Sequence, residues 1–455
     1  MCNASPDSAN ASSIGKPKAH GHGSIMFRTT TILHKSCCLR SSIHPPSRSF
    51  VHSLPRNFPR IWRITSEKSF QNTPLPTFRD QVVRSTEVES FSSRFPRPTV
   101  RNQVLFFIGG SLLACSIAAS QTEIDTEYWS KRLVSVSHRW TLRPPSTEEM
   151  RKAQYLELGK YLQTQVNQLK DTLAEWPLAL RNLVLSVYVQ AAQSYLDAPE
   201  GRRLCWLICG VNTAIYLVWK IPRLAPFMTR SFTHHPLSGR SYTLLTSMFS
   251  HKSFIHLLAN SMALASFGSA ATHYFTLEQL KHGEQQQEAT AKWHFLAFFI
   301  SAGLFSGLVS HVAACKVLFP RLVTQYTASA VIKNSPAAAA ISSTAAKATT
   351  STVPREILPS LGASGAIYAA VTVSALAFPD AQVSLIFPPF ISIPIQAGVG
   401  GMVMLDMIGI VRGWRMFDHY AHLGGAAFGV MYYMYGPQWW AFMRSEYQQL
   451  HSVTS

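Results

Sequence analysis

Residues 361–378 read LGASGAIYAAVTVSALAF, a stretch that contains no charged residue. A transmembrane helix needs about 20 mostly apolar residues, with a range of about 17–25. The stretch therefore predicts a membrane span, and its first residues place Ser364 directly before a glycine. The fold class then depends on how many other segments of the chain are as long and as apolar as a membrane span.

Six other segments are long and apolar enough to be considered. In chain order, the predicted spans are 104–119, 204–219, 254–275, 293–319, 361–378, 390–411 and 417–435. Buried helices of a soluble protein could imitate one or two of these spans, but not all of them. The sequence therefore predicts an all-α polytopic membrane protein, with one early span followed by a six-helix core.

Charge is scarce and unevenly placed along the chain. The 455 residues include 41 Lys and Arg against 23 Asp and Glu, and charged residues make up 14%, against about 25% in a soluble domain. Residues 8–66 contain nine basic residues and no acidic one. An Arg-rich, Ser-rich and acid-poor segment is typical of an organelle transit peptide. Translation could also start at Met26, because a plausible transit peptide follows it. A nucleic-acid binder is excluded because its basic patch would lie on a folded domain.

The predicted organisation has five parts. They are a transit peptide with a basic segment (1–100), an extra transmembrane helix (101–120), an amphipathic helical linker (121–202), the six-span core (203–436) and a C-terminal tail (437–455). Residues 150–195 carry apolar side chains at the spacing of one amphipathic helix. Residues 327–353 form a linker rich in Ala, Ser and Thr.

The cysteines do not indicate a metal centre. There are seven, at irregular spacing and with no CxxC pair, so neither a zinc site nor a disulfide framework is predicted. No cofactor and no bound metal are expected.

Ionisable and strongly hydrogen-bonding groups within predicted spans are the candidate functional residues, because such groups are costly in a bilayer. They are His256, Asn260, Ser364, Tyr368, Asp406, Asp418, His419 and His422. Each has a structural explanation when taken alone. A membrane Ser bonds to the backbone one turn back, a His or Asn bridges helices, and Asp418 suits a helix N-cap.

Taken together, these groups are sufficient for acyl transfer. A hydroxyl nucleophile needs a base within hydrogen-bond reach, and His422 could serve Ser364 if Gly365 and Gly425 let their helices touch. Helix N-terminal N–H groups, with His256 and Asn260, could stabilise an oxyanion. No third acid is required at this point, because packing can hold a buried pair.

Three segments resemble the signatures of the rhomboid intramembrane serine proteases. They are Gly362-Ala-Ser-Gly-Ala-Ile-Tyr368, Ala421-His-Leu-Gly-Gly-Ala-Ala-Phe-Gly429 and His251-Lys-Ser-Phe-Ile-His-Leu-Leu-Ala-Asn260. They occur in the family's order over about residues 200–436. The one-plus-six arrangement, the transit peptide, Asp406 and the stretch from Phe417 to Gly425 resemble the mitochondrial branch.

The resemblance implies a role for each site residue. Ser364 would be the nucleophile and His422 the general base, and Tyr368 would stack on the ring of His422. His256 and Asn260 would help to form the oxyanion hole. The supporting glycines would be Gly362, Gly365, Gly425 and Gly429.

The resemblance also implies partners. Substrates would be single-pass inner-membrane proteins held in the lipid bilayer, including a dynamin-like GTPase and, in fungi, a haem peroxidase precursor. No nucleic-acid partner is expected, and the sequence does not indicate an oligomeric state.

The sequence lacks the patterns of three other classes of membrane protein. An aspartyl intramembrane protease needs paired carboxylates, a metalloprotease needs HExxH, and a transporter favours inverted repeats; none of these patterns is present. A catalytically inactive rhomboid-like binding or quality-control factor remains the alternative, although such relatives typically lose the Ser or the His.

Loop charges predict the topology. The basic N-terminal segment and the loops 220–253, 320–358 and 412–416 carry an excess of Lys and Arg over Asp and Glu, whereas the segments 120–202, 276–292 and 379–389 are nearly charge-balanced or acidic. Because Lys and Arg concentrate on the inner side of a membrane, the basic segments are expected in the matrix. The C-terminus would lie in the intermembrane space, and the catalytic mouth would open toward the matrix half of the bilayer.

Overall fold

The computed structural model describes residues 98–136, 143–281, 286–325, 357–384 and 391–454. Nearly all of the predicted transit segment, and the whole linker 327–353, lie outside these residues. The described part is almost wholly helical. It also contains one antiparallel pair of short strands, β1 (Gln382–Ser384) and β2 (Ser392–Pro394).

The helices follow the chain in the order predicted for the spans. They are α1 (Arg101–Val136), α2 (Thr147–Thr172), α3 (Leu178–Asp197), α4 (Glu200–Val218), α5 (Ala225–Ser231), α6 (Thr243–Ser247), α7 (Phe254–Ala263), α8 (Ser269–Lys281), α9 (Lys292–Ala313), α10 (Ser364–Ala377), α11 (Ile395–Arg412) and α12 (His419–Thr454). A π-helical turn, Leu264–Gly268, joins α7 to α8.

The predicted spans lie largely on helices, although the span predicted over 390–411 includes β2. The mostly helical structure is consistent with the predicted class of helical polytopic membrane protein. Among the described residues, four helical stretches are long and apolar enough to cross a membrane, namely Arg101–Ser135, Phe254–Lys281, Lys292–Gln325 and Ile395–Arg412. The pair Glu200–Val218 and Pro222–Ser231, bent by 95°, adds a fifth. Helix α10 is shorter, at 14 residues.

Several boundaries differ from the prediction. Helix α1 continues to Val136, past the predicted end at residue 120, and the span predicted over 390–411 includes β2 before its helix begins at Ile395. The single amphipathic helix expected over 150–195 is two helices, α2 and α3, which meet at Pro177. A proline has no N–H to donate and fits the start of a helix better than its interior. Helix α12 continues to Thr454, well past the predicted end at residue 435.

The central helix of the bundle is α10, and α12 crosses it at close range. Ten of the 14 residues of α10 are buried. A Cβ atom added to Gly425 would overlap the carbonyl oxygen of Gly365, and one added to Gly429 would lie 2.6 Å from the carbonyl oxygen of Ala369. Glycines at these two positions therefore set the distance between the two helices.

The loop 286–291, between α8 and α9, holds one end of the bundle together. Side chains of four helices bond to the backbone of this loop: Thr126 of α1, Gln154 of α2, Glu200 of α4 and Arg444 of α12. The early helix α1 and the α2–α3 region are thereby attached to the core.

A buried carboxyl lies within this loop. Glu288 and Arg444 are each 1% exposed, and the Arg444 Nη1 atom lies 3.8 Å from the Glu288 Oε2 atom. The Arg444 Nε–H donates to Glu123 at 2.6 Å, so the positive charge of Arg444 is shared between Glu123 and Glu288. Burial therefore outweighs the opposing effects of Arg444 and Arg151 and raises the pKa of the Glu288 carboxyl to about 7.

This raised pKa predicts how stability depends on pH. Between about pH 4.5 and about pH 7 the folded chain keeps a proton on Glu288 that the unfolded chain releases. The free energy of unfolding therefore falls as pH rises through this window, by at most about 1.4 kcal/mol per pH unit. The variant Glu288→Gln should show a flatter dependence of Tm on pH in detergent solution.

The matched control is Glu148→Gln, which changes an exposed glutamate in the first turn of α2. This variant should keep the wild-type dependence. If Glu288→Gln follows the same curve as the wild type, Glu288 does not titrate in this window.

Candidate active site

The chain enters α10 through a glycine that makes room for a histidine. Gly362 has a φ of +125°, a conformation that favours glycine. Its N–H donates to the Ser247 carbonyl at 2.9 Å. A Cβ atom at Gly362 would lie 2.7 Å from the ring of His256. Ser364 is thereby placed at the first helical position, where backbone N–H groups have no partner within the helix.

Ser364 and His422 are in hydrogen-bond contact. The Oγ atom of Ser364 lies 2.9 Å from the Nε2 atom of His422. The two residues belong to α10 and α12, and Gly425, about one turn after His422, permits the close crossing of these helices. The contact therefore follows from the small residues at the crossing.

A carboxylate on a third helix lies behind the imidazole. The Oδ1 atom of Asp406, on α11, lies 3.1 Å from the Nδ1 atom of His422 and 2.6 Å from the Nδ1 atom of His419. The Tyr368 hydroxyl donates to the Oδ2 atom of Asp406 at 2.6 Å. Asp406 is 3% exposed, so these three donors compensate for the burial of its charge.

The surroundings of His422 fix the orientation of its ring. Tyr368 stacks on the imidazole, with ring centroids 4.3 Å apart and planes 11° apart. If Nδ1 carries the proton and donates to Asp406, Nε2 has a free lone pair that faces Ser364. This tautomer makes His422 a base toward the serine hydroxyl.

His256 and Asn260 lie on α7, beside the start of α10. The amide nitrogen of Asn260 donates to the carbonyl of His256 at 3.0 Å and lies 3.2 Å from the Nε2 atom of His251. The backbone N–H of Ala363 also points to this His251 atom, at 3.5 Å. The donors of Asn260 are thus used within α7 and the preceding loop, whereas the ring of His256 lies against Gly362.

Asp418 is a helix cap. Its Oδ1 atom accepts the N–H of Ala421 at 3.0 Å, which is the geometry of an N-cap residue of α12. Its Oδ2 atom accepts the hydroxyl of Ser310 at 2.6 Å. The carboxylate that contacts His422 is therefore Asp406 and not the sequence neighbour Asp418.

Most of the sequence-predicted residues come together, and two further residues join the group. Ser364, His422 and Tyr368 are in contact, and His256 adjoins them. The two further residues are Asp406, a candidate functional residue without a predicted role, and His251, the first residue of a signature segment. The sequence signal for Asp406 is a lone carboxylate in the middle of a predicted span. A buried charge must be surrounded by donors, so this carboxylate indicates a contact with polar groups of other helices. Among the described residues, no group of three His, Cys, Asp or Glu side chains is arranged to hold a metal ion.

The geometry predicts opposite outcomes for two conservative substitutions. Asp406→Asn should slow covalent labelling of Ser364 by a fluorophosphonate by at least about tenfold, because an amide does not hold the required tautomer of His422. Asp418→Asn should label at nearly the wild-type rate, because Asn caps helices as well as Asp does.

Both variants remove one negative charge and keep the shape of the side chain. Labelling of the Asp406→Asn variant at the wild-type rate, in folded protein, would contradict the orienting role of this carboxylate.

Part of the chain is similar to known proteins. Residues 238–438 match the Rhomboid domain family. The chain is 30% identical over 241 residues to the human presenilin-associated rhomboid-like protein, mitochondrial, and 30% identical over 238 residues to protein A of that name from Danio rerio. These matches cover 53% and 52% of this chain, and 50% and 49% of the relatives. Rhomboid protein 1, mitochondrial, of Saccharomyces cerevisiae is 24% identical over 331 residues, which cover 69% of this chain and 78% of the yeast protein.

The extent of these matches limits what they establish. The chain spans about half the length of the animal relatives that it matches. No solved structure matches the chain. The matched region contains Ser364, His422, Asp406 and the segment from His251 to Asn260. This region is similar to the Rhomboid domain family, and the relatives that the chain resembles are named as mitochondrial proteins.

Proposed function

We propose that this chain is an intramembrane serine endopeptidase of the mitochondrial inner membrane, in which Ser364 and His422 cleave transmembrane segments of other proteins. The observation that carries the proposal is the 2.9 Å contact between the Ser364 Oγ and the His422 Nε2 atoms. A serine hydroxyl at neutral pH is a weak nucleophile, and a hydrogen-bonded imidazole is the group that activates it.

The proposed reaction has two steps. The Ser364 Oγ atom attacks the carbonyl carbon of the scissile peptide bond while the His422 Nε2 atom takes the hydroxyl proton. His422 then gives this proton to the leaving amine, and an acyl-enzyme remains on Ser364. Water, with His422 again as base, hydrolyses the ester and restores the hydroxyl. Asp406 stabilises the imidazolium that forms in each step.

The tetrahedral intermediate needs donors aimed at its oxyanion. We assign this task to the N–H groups at the start of α10 and to the ring of His256, which lies against Gly362. The Asn260 amide is bonded to the His256 carbonyl and faces His251. A contribution from Asn260 therefore requires its side chain to turn when substrate binds.

The length of α10 supports cleavage within the bilayer. Its 14 residues span about 21 Å at 1.5 Å per residue, against about 30 Å of hydrocarbon. With the far end of α10 at one membrane face, Ser364 would lie several ångströms below the other. This depth would give the serine access to a peptide bond inside a substrate's transmembrane segment.

The proposed arrangement is six core helices, α4, α7–α8, α9, α10, α11 and α12, preceded by α1. The substrates would be single-pass proteins of the inner membrane, and a precursor of a dynamin-like GTPase is the candidate to test first. The alternative is an inactive rhomboid-like factor that binds membrane proteins without cleaving them.

The serine and the histidine should act as one unit. Ser364→Ala and His422→Ala should each lower cleavage of a transmembrane reporter by at least about a thousandfold, and the double variant should lose no more than either single variant. The matched control is Ser374→Ala on the same helix, since the Ser374 hydroxyl bonds to the Ala370 carbonyl one turn back. This variant should keep its activity.

Two results would reject the proposal. One is cleavage that persists in Ser364→Ala. The other is a folded wild-type chain that neither cleaves the reporter nor reacts with a fluorophosphonate, which would favour the inactive binding factor.

Loop charges underlie the proposed orientation. The loop 220–253 carries five basic residues and no acidic one, so we place it in the matrix, on the same side as the loop that precedes α10. In mitoplasts, a tag after Ser455 should be digested by added protease, and a tag inserted near residue 340 should be protected. The reverse pattern would invert the orientation and leave the proposed chemistry unaffected.

A further inference from the structure

The helix α3, Leu178–Asp197, is apolar but contains no buried residue. One side packs on α2, where Leu196 of α3 lies against Gly159. Between Arg181 and Asp197 the helix carries no charge. A helix of this kind has a second apolar side that its partner helix does not cover.

That second side carries four large, exposed apolar side chains. Leu180, Leu183, Val187 and Tyr195 are 50%, 59%, 58% and 41% exposed. Their spacing of three, four and eight residues places them on one face of the helix. They define a stripe about 22 Å long. A polar strip lies beside it and contains Asn182, Ser186 and Gln193.

The stripe continues onto the outer surface of α4. The rings of Tyr195 and Trp206 lie 6.3 Å apart, and the guanidinium of Arg203 lies 5.6 Å from the centre of the Tyr195 ring. Trp206 and Leu207 of α4 are 38% and 65% exposed. In the proposed arrangement this surface of α4 faces lipid, so the apolar surface of α3 extends a lipid-facing one.

We propose that the outer face of α3, formed by Leu180, Leu183, Val187 and Tyr195, lies in the bilayer surface, at the boundary between headgroups and acyl chains. The tyrosine, tryptophan and arginine at the α3–α4 junction are the residue types that occupy the headgroup level. Pro199 separates the two helices, so α3 can lie along the surface while α4 crosses the membrane.

Lipid fits this face better than a protein partner does. The flank of the stripe consists of uncharged polar side chains that can reach the headgroups, and exposed Arg202 adds a positive charge at the junction. An exposed apolar helix surface with such a flank can bind at the membrane interface, where its apolar side chains enter the acyl region and its polar side chains reach the headgroups. The inference depends on α4 crossing the membrane and does not depend on catalysis.

The test measures the depth of two positions on α3. A genetically encoded fluorescent amino acid replaces Val187 in the full chain, or Gln193 on the polar strip as the matched control. Both chains carry Ser364→Ala, so the result is independent of proteolysis. They are reconstituted in vesicles of phosphatidylcholine and cardiolipin, and acyl-brominated lipid and aqueous iodide serve as quenchers.

The fluorophore at position 187 should be quenched by brominated lipid at least about twofold more than the one at position 193, and iodide should show the opposite order. Equal quenching by iodide at both positions would place the face in water and overturn the proposal. Protection of position 187 from both quenchers would mean that protein covers the face, and would also overturn it.

Discussion

The approach of α12 to α10 is the constraint on which the site depends. Gly425 lies so close to the Gly365 carbonyl that no side chain fits between the two backbones, and Gly429 repeats the contact one turn further along. Because helix backbones meet at this distance, the short side chain of Ser364 reaches the His422 ring. A larger residue at position 425 would separate the two helices, and no change in the serine rotamer would restore the contact.

The second constraint is the burial of Asp406. An ionised carboxylate in a low-dielectric interior is stable only when donors surround it. Tyr368, His419 and His422 supply these donors. The bonds to Asp406 also fix Tyr368 and His419 beside His422, the proposed base. The stacked Tyr368 ring and the Asp406 carboxylate hold the imidazole from its face and its edge. The compensation of a buried charge and the orientation of His422 are therefore achieved by the same contacts.

The sequence predicts the membrane fold, the helices that carry the site and the positions of Ser364 and His422, because apolar length and polar exceptions are local signals. It does not predict the contact of Asp406 with His422, since residues 16 apart on two helices meet only through tertiary packing. It predicts Asn260 as an oxyanion donor but not the direction of its amide, which depends on the position of His251. Pro177 is a local signal for a helix boundary, but the helical spacing of apolar residues on both sides of it favours a single helix.

The far end of the bundle shows that α1 is part of the framework around the site. At one end of α12, Asp418 caps the helix and bonds to Ser310 of α9. Ten residues before the other end, Arg444 binds Glu123 of α1 and the carbonyl of Gln287. Between His422 and Arg444 the helix rises by about 33 Å. Contacts at two such distant points leave α12 little freedom to slide or turn. The position of His422 opposite Ser364 is thus defined by the glycine crossing, by the Asp418 cap and by the ion pair between Arg444 and α1. Helix α1 lies before the region that matches the Rhomboid domain family.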